Sequence, residues 1–470
     1  MFSGFDFGTS NCSVGVVENL NSTSSKVASQ TKQNTSIIKL LPLDQGKVFM
    51  PSTLYAFERE LICEYVAQHI PNERLKAGYI DIRKAMLSQA HQVRREHDIR
   101  ADEQSLFFGH EAFDQYLSMP SEGYFIKSPK SFLGASGLRA EFVNFFQDIV
   151  TAMMQAIKER AEQQLGRSIT QTVIGRPVNF QGLNAEKSNL QAIDILTISA
   201  KRAGFKEVEF LFEPLAAGLD FEATLTQDKT VLVVDIGGGT TDCAMVRMGP
   251  SYRDNAERDQ DFLGHTGERV GGNDFDIQLA GKALMPLFGM QSTLKNGLPM
   301  PTQYFWDAIT TNDASSQSVF NSKETELALT QLLMDTNEPL LLERFINLRD
   351  NKQNYQTVRI SEQVKIALSD SLNHHADLNE IEEALTHPIS REDFANAIDR
   401  PLAKMTSLMT EAVLQSGCSP DLIYITGGSA KSQVIRHAIQ QKFGNLEIVD
   451  GDHFGSVAAG LTRWAQKIFS

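Results

Sequence analysis

Two stretches of this chain share one order of residue types. The first is Phe5-Asp6-Phe7-Gly8-Thr9-Ser10-Asn11-Cys12, and the second is Val234-Asp235-Ile236-Gly237-Gly238-Gly239-Thr240-Thr241-Asp242-Cys243. Allow the second copy two extra glycines, and both run apolar, Asp, apolar, Gly, Thr, hydroxyl, Asn or Asp, Cys. A carboxylate at a strand end, as at Asp6 and Asp235, can hold Mg²⁺ through the ion's waters, because Mg²⁺ gives up water reluctantly. Gly8, Gly237, Gly238 and Gly239 leave no Cβ in the way, so backbone N–H groups can come up to phosphate oxygens. Thr9, Ser10, Asn11, Thr240 and Thr241 add hydroxyl and amide donors. A Gly-rich hairpin accounts for one such stretch; two related copies point to two similar units facing one phosphate chain.

The elements that must carry these residues alternate between strand and helix. Residues 1–17 read as a β-hairpin, 19–35 as a polar exposed loop, and 36–135 give few definite elements. Phe142, Phe146, Ile149, Met153 and Ile157 fall at helical spacing, which predicts a helix over 141–165 closed by Gly166. A buried strand follows at 172–175, ended by Arg176-Pro177, then a helix over 184–203 stopped by Gly204. Residues 207–212 alternate like a strand and lead into Glu213-Pro214, where proline can open a helix. The second hairpin begins at Val231. Residues 250–263 and 289–355 are polar and irregular, with a helical patch at 324–334. Helices are expected at 361–371 and 392–415. The tail then alternates strand 422–426, helix 430–443, strand 446–449 and helix 456–468. This order specifies an α/β protein with mixed sheets.

At 470 residues the chain exceeds what one core usually supports, so two or more domains are expected. Its 44 basic and 58 acidic residues leave a net charge of −14, which disfavours nucleic acid and anionic membranes as partners. The four cysteines, Cys12, Cys63, Cys243 and Cys418, form no CxxC pair or zinc spacing. Cys12 and Cys243 read as small core residues. No leader pattern or long apolar run appears, and the expectation is a reduced, cytoplasmic protein.

Further segments carry a resemblance. Lys130-Ser131-Phe132-Leu133-Gly134, Phe212-Glu213-Pro214-Leu215-Ala216-Ala217, Val270-Gly271-Gly272-Asn273-Asp274-Phe275-Asp276, the helix around Glu362-Gln363-Val364-Lys365 and Tyr424-Ile425-Thr426-Gly427-Gly428-Ser429 follow the two hairpins in a recognisable order. Together they resemble the actin-like ATPase superfamily, within it the DnaK-type heat-shock protein 70 chaperones, and within those the YegD-like branch. The resemblance implies an actin-like ATPase fold of two pseudo-symmetric lobes with a nucleotide cleft between them. Lobe I would span 1–224, completed by a C-terminal helix at 453–470, and lobe II 225–452.

It also implies ATP or ADP with Mg²⁺ in the cleft, and roles for particular residues. Lys130 would set its charge against the terminal phosphates, Glu213 would orient the attacking water, and Thr240 would meet the terminal phosphate. Asp6 and Asp235 would hold the metal's water shell. Asp242 would either act directly or brace its hairpin. Gly427 and Gly428 would let the backbone approach adenosine, with Ser429 and Lys431 at its edge. Glu362 and Lys365 share a helix face and would either reach the ribose or pair with each other. Gly271 and Gly272 would either pack near the phosphates or cap the turn before a helix.

The implied function is that of a Mg²⁺-dependent, chaperone-like ATPase, with a protein client or co-chaperone as its macromolecular partner. The alternatives are a small-molecule kinase of the same superfamily and a filament-forming or non-catalytic relative. There are departures from the family pattern. Ile366 stands where the chaperones carry an adenine-stacking Arg, and Arg176-Pro177-Val178 replaces their Val-Pro-Ala. The stretch between Asp6 and Lys130 is longer than theirs. Few residues follow the last helix before Ser470, so a nucleotide-binding core without a C-terminal peptide-binding domain is expected.

Overall fold

The computed structural model describes residues 1–19, 36–100, 102–119, 122–135, 139–180, 185–253, 255, 258–451 and 455–470. The loop expected at 19–35 therefore lies outside the described residues, apart from Asn19 at the end of a strand. The strands in chain order are β1 Phe2–Phe7, β2 Asn11–Asn19, β3 Ser36–Leu40, β4 Met50–Pro51, β5 Thr53–Ala56, β6 Leu106–Phe108, β7 Tyr124–Lys127 and β8 Gln171–Arg176. They continue as β9 Glu207–Phe212, β10 Lys229–Ile236, β11 Thr241–Met248, β12 Phe262–Glu268, β13 Asn373–Asp377, β14 Thr386–Ser390, β15 Leu422–Thr426 and β16 Glu447–Asp450.

Two large sheets repeat one topology. The first runs β3-β2-β1-β8-β9, with β4 paired to β2, and the second runs β12-β11-β10-β15-β16. In each, an antiparallel hairpin is extended on its outer side by another antiparallel strand and on its inner side by two parallel ones. The parallel steps need crossovers, which helices supply. Ala140–Leu165 precedes β8, Ala185–Arg202 joins β8 to β9, and Gln433–Phe443 joins β15 to β16. This duplicated sheet is the actin-like ATPase fold.

The sequence of β10 shows how the sheets become buried on both faces. Leu232, Val234 and Ile236 enter one core with Phe275, Phe288 and Phe345, whereas Val231 and Val233 enter another with Val173, Ala217 and Leu461. Successive side chains of a strand point to opposite faces, so an unbroken apolar run serves two cores. The helix Ser456–Phe469 fills the second of these, packed on β1, β8 and the helix Glu213–Glu222. Gly460 is indispensable to that contact: a Cβ there would lie 1.6 Å from the Ala216 carbonyl oxygen. Among the described residues no helix is long and apolar enough to cross a membrane.

Several expectations need correction. Residues 289–355 are not irregular; they hold the helices Gln303–Ile309, Ala314–Phe320, Lys323–Asp335 and Pro339–Asp350. Each spans few turns and commits one to three large residues, such as Phe305, Phe320 and Phe345, to the core, so no long apolar period shows. The single helix expected at 392–415 is two, Arg391–Ala397 and Asp399–Ser416, which meet at Ile398. Ser390 caps the first, and Pro401 sits in the first turn of the second, where its missing N–H leaves no bond unmade. The helix expected from 361 begins at Asn354, and β12 occupies a stretch that had shown no strand pattern past 263. Residues 36–135 hold β3 to β7 and four helices, one of which is Arg59–His69. Cys12 and Cys243 are buried, as expected, as is Cys63, while Cys418 is exposed.

Candidate functional site

The tips of the two central hairpins interlock. A Cβ on Gly238 would lie 1.8 Å from Ser10 Oγ, and one on Gly239 would lie 2.8 Å from Thr9 Cγ2. The glycines are thus demanded by a seam between two backbones, not merely by turns. In front of the seam opens a cavity of about 340 Å³. At one end it is lined by Asp6, Gly8, Thr9, Ser10, Asn11, Glu213, Asp235, Gly237 and Gly238. At the other are Gly272, Glu362, Lys365, Ile366, Gly427, Gly428 and Ser429.

Other candidate residues stand elsewhere. Lys130, Thr240 and Gly239 line a smaller cavity behind the seam. Thr241 is fully buried and donates its hydroxyl to the Val270 carbonyl at 2.7 Å, so it locks the hairpin to the segment before Gly271. Gly271 caps the helix Gly272–Leu279, and a Cβ there would lie 2.7 Å from the Gly237 oxygen. Of that glycine pair, Gly271 caps the helix and Gly272 lines the cavity. Lys431 is exposed beyond the turn that carries Ser429. Phe49, Asn273, Thr426 and Val457 also line the cavity and were not singled out beforehand. Asn273 and Thr426 adjoin residues that had been; Phe49 and Val457 carried no local signal.

The acids at the deep end are crowded. Burial first, then the Glu213 charge, pushes the Asp6 carboxyl up to about 7. The same causes carry Asp235 well above the usual carboxylate range and Asp242 up to about 7. Lys130 is the buried counter-charge, on the single turn Pro129–Phe132. Its ammonium donates to Glu213 and, at 3.4 Å, to the Gly175 carbonyl. Burial alone would lower its pKa, but Glu213 and Asp6 more than offset that and hold it charged. Asp242 accepts the Val178 N–H at 2.6 Å, a brace between the second hairpin and the loop after β8.

Two cations, Lys130 and Arg176, among four acids leave surplus negative charge, which a bound cation would relieve. Among the described residues no three His, Cys, Asp or Glu side chains are grouped to hold a metal ion directly. Asp6 and Asp235, both facing the cavity, suit a hydrated Mg²⁺ contacted through its waters.

At the shallow end Glu362 and Lys365 do not pair with each other. Lys365 is bound to Asp276 at 2.8 Å and to the Gly272 carbonyl at 3.3 Å, whereas Glu362 pairs with Lys127 at 3.4 Å. Lys127, above all, holds the Glu362 carboxyl below its usual range. Asp276, mainly through burial, rises to about 6 in spite of Lys365. Ile366 offers an open apolar face, 60% exposed. Gly427, at φ +89°, turns the chain so tightly that a Cβ would lie 2.2 Å from the Ile236 oxygen.

The Lys127–Glu362 pair crosses from β7 to the helix Asn354–Asp370, and it has company. The Tyr116 hydroxyl donates to the Lys352 carbonyl, the Tyr355 ring sits 5.5 Å from Phe125 and 6.0 Å from Tyr116, and Arg359 lies 3.8 Å over Phe113. These contacts tie residues 113–127 to residues 352–362, and of these residues Glu362 lines the cavity.

Residues 138–291 match the family model described as Hsp70 protein. That segment carries Glu213, the second hairpin, Gly271 and Gly272; the first hairpin, Lys130 and the shallow end of the cavity lie outside it. On a fold of duplicated sheets joined at two hairpin tips, that segment is similar to Hsp70 protein.

Proposed function

We propose that the chain binds ATP with Mg²⁺ in the front cavity and hydrolyses it to ADP and phosphate. The carrying observation is the interlocked pair of Asp-Gly-Thr hairpins, with Glu213 lining the cavity before them and Lys130 bound to it. Lobe I would comprise 1–224 with 453–470, and lobe II 225–452. Backbone N–H groups of the turns at 8–11 and 237–239 would hold the phosphates, while Gly427, Gly428 and Ile366 would face the nucleoside. Bound Mg²⁺, its waters contacted by Asp6 and Asp235, would neutralise phosphate charge.

In the reaction the oxygen of water bonds to the terminal phosphorus, and the bond to the bridging oxygen breaks. The electron pair stays with ADP, and the proton of water passes to solvent. Glu213 orients that water as a hydrogen-bond acceptor. Lys130 pairs with Glu213 and sets positive charge beside the transferring group, where charge builds in a loose transition state. Loss of the terminal phosphate removes the bridge between the hairpins and lets the lobes change angle. A protein client or co-chaperone would read that angle, as in chaperone-type relatives.

The test is ATP binding and phosphate production by the purified protein, with other nucleotides as controls. Lys130→Ala and Thr240→Ala should bind ATP nearly as well as the native chain, with turnover reduced by roughly 10²–10³. Unchanged turnover in both variants would reject the assignment.

A further inference from the structure

The helix Glu213–Glu222 opens between two cavities. Glu213 lines the front one, whereas Pro214 and Leu215 line another, of about 860 Å³. The edge strands β9 and β12 of the two large sheets and the helix Ser456–Phe469 contribute further walls. Both its volume and its lining are those of a small-molecule site: Phe212, Leu215, Phe262, Trp464 and Phe469 form an apolar wall with a few polar groups at set places. Arg258, one of those groups, is neutralised by Glu222 at 2.9 Å and Asp261 at 2.5 Å. Arg176, at the end of β8, makes no ion pair among the described residues. Its guanidinium lies 4.7 Å over the Phe212 ring and donates only to the Pro177 and Val178 carbonyls, at 3.3 and 3.4 Å. Burial draws its pKa below the usual arginine value, and Glu213 and Asp242 offset this only in part. The acids of the cavity, Glu207 and Glu209, stand elsewhere. Arg176 is in register with Phe212, so Glu209 lies three residues back along β9, about 10 Å from the Arg176 end.

We propose that this cavity is a binding site for a small aromatic monocarboxylic acid, its ring among Phe212, Phe262 and Trp464 and its carboxylate on Arg176. The proposal does not depend on what the front cavity binds. A carboxylate supplies what Arg176 lacks, a charged acceptor that its fork can hold in two parallel bonds, in place of two long contacts to carbonyls. The guanidinium already lies against Phe212, so a ring set on the same wall brings its own carboxylate within reach. Offset or edge contacts with the wall's rings add to the gain from apolar burial and favour a flat ring over an aliphatic chain. The far end narrows the class further. A second negative group there would meet Glu209, so the occupant carries one charge.

The experiment is calorimetric titration of the full chain with 2-naphthoate, and with 2-naphthalenemethanol as its uncharged counterpart. The acid should bind roughly tenfold or more tightly than the alcohol, the scale of one charge-assisted hydrogen bond. Naphthalene-2,6-dicarboxylate should bind more weakly than naphthoate. Arg176→Met should bring the acid down to the level of the alcohol and leave the alcohol unchanged, whereas Arg176→Lys, which keeps the charge but not the fork, should retain part of the difference. Trp464→Leu should weaken acid and alcohol alike, by about two- to tenfold. Equal affinity of acid and alcohol in the native chain, which needs no variant to fold, would mark a surface for any apolar group and overturn the proposal. So would naphthoate binding that survives Arg176→Met, tighter binding of the dicarboxylate, no effect of Trp464→Leu, or no binding of naphthoate at all.

Discussion

Replacing Gly238 with Ala tests whether the seam between the hairpins matters as a seam. The added methyl would lie 1.8 Å from Ser10 Oγ and 2.9 Å from Ser10 Cβ. The hydroxyl can rotate away, but Ser10 Cβ cannot, because it is fixed to the turn. Carbon atoms pack at about 3.5–4.0 Å, so the tips must part by roughly half an ångström or more. Overpacking of this kind costs about 1–3 kcal/mol. Displacing reacting groups by about 1 Å can cost roughly a hundredfold in rate. The expected result is a fall of about tenfold or more in kcat/KM for ATP, with the protein still folded by thermal melting. Adding Ser10→Gly removes both atoms that clash and should restore most of the loss, a coupling that independent sites would not show. Full activity in Gly238→Ala, or no recovery in the double variant, would refute the argument that the two turns act as one phosphate clamp.

Other consequences can be checked separately. Asp242 is raised from 3.8 to about 7 by burial and Glu213, so its ionisation opposes folding; the penalty is absent below about pH 4, grows as pH rises to 7 and is full above it. Asp242→Asn keeps an acceptor for the Val178 N–H, so it should melt higher than the native chain at pH 8, by a margin on the order of a few kcal/mol, and match it near pH 4; a margin independent of pH would contradict the charge argument. At the shallow end, Ile366→Arg should tighten ATP and ADP about two- to fivefold by laying a guanidinium on the base, measured by fluorescent-nucleotide titration. No tightening would mean that the base does not lie against position 366.

What could be read in advance follows from how locally each feature is encoded. Both hairpins declare themselves in under twelve residues, since strand, acid, glycine and hydroxyl must be consecutive to form the turn. The helix Ala140–Leu165 was equally plain, because it is long and its large apolar residues recur at helical spacing. Short helices such as Gln303–Ile309 were not, since seven residues, with Phe305, Ala308 and Ile309 in the core, are too few to set a period. Partners were the least legible. Glu362 and Lys365 suggested a pair within one helix, yet each found a better-placed charge far away in sequence, Lys127 and Asp276. Lys130 was read as facing phosphate, and in the structure its ammonium donates to Glu213, separated from it by 83 positions.

That last difference bears on how the site would work. Lys130 cannot neutralise Glu213 fully and also give its whole charge to a phosphate, so an arriving nucleotide must draw the ammonium partly away. The acid left behind is then a better acceptor for water, at the moment when a phosphate is present to be attacked. The pair is buried, so water screens little of the Lys130–Glu213 attraction, and the pull of a phosphate on the ammonium would be felt just as strongly.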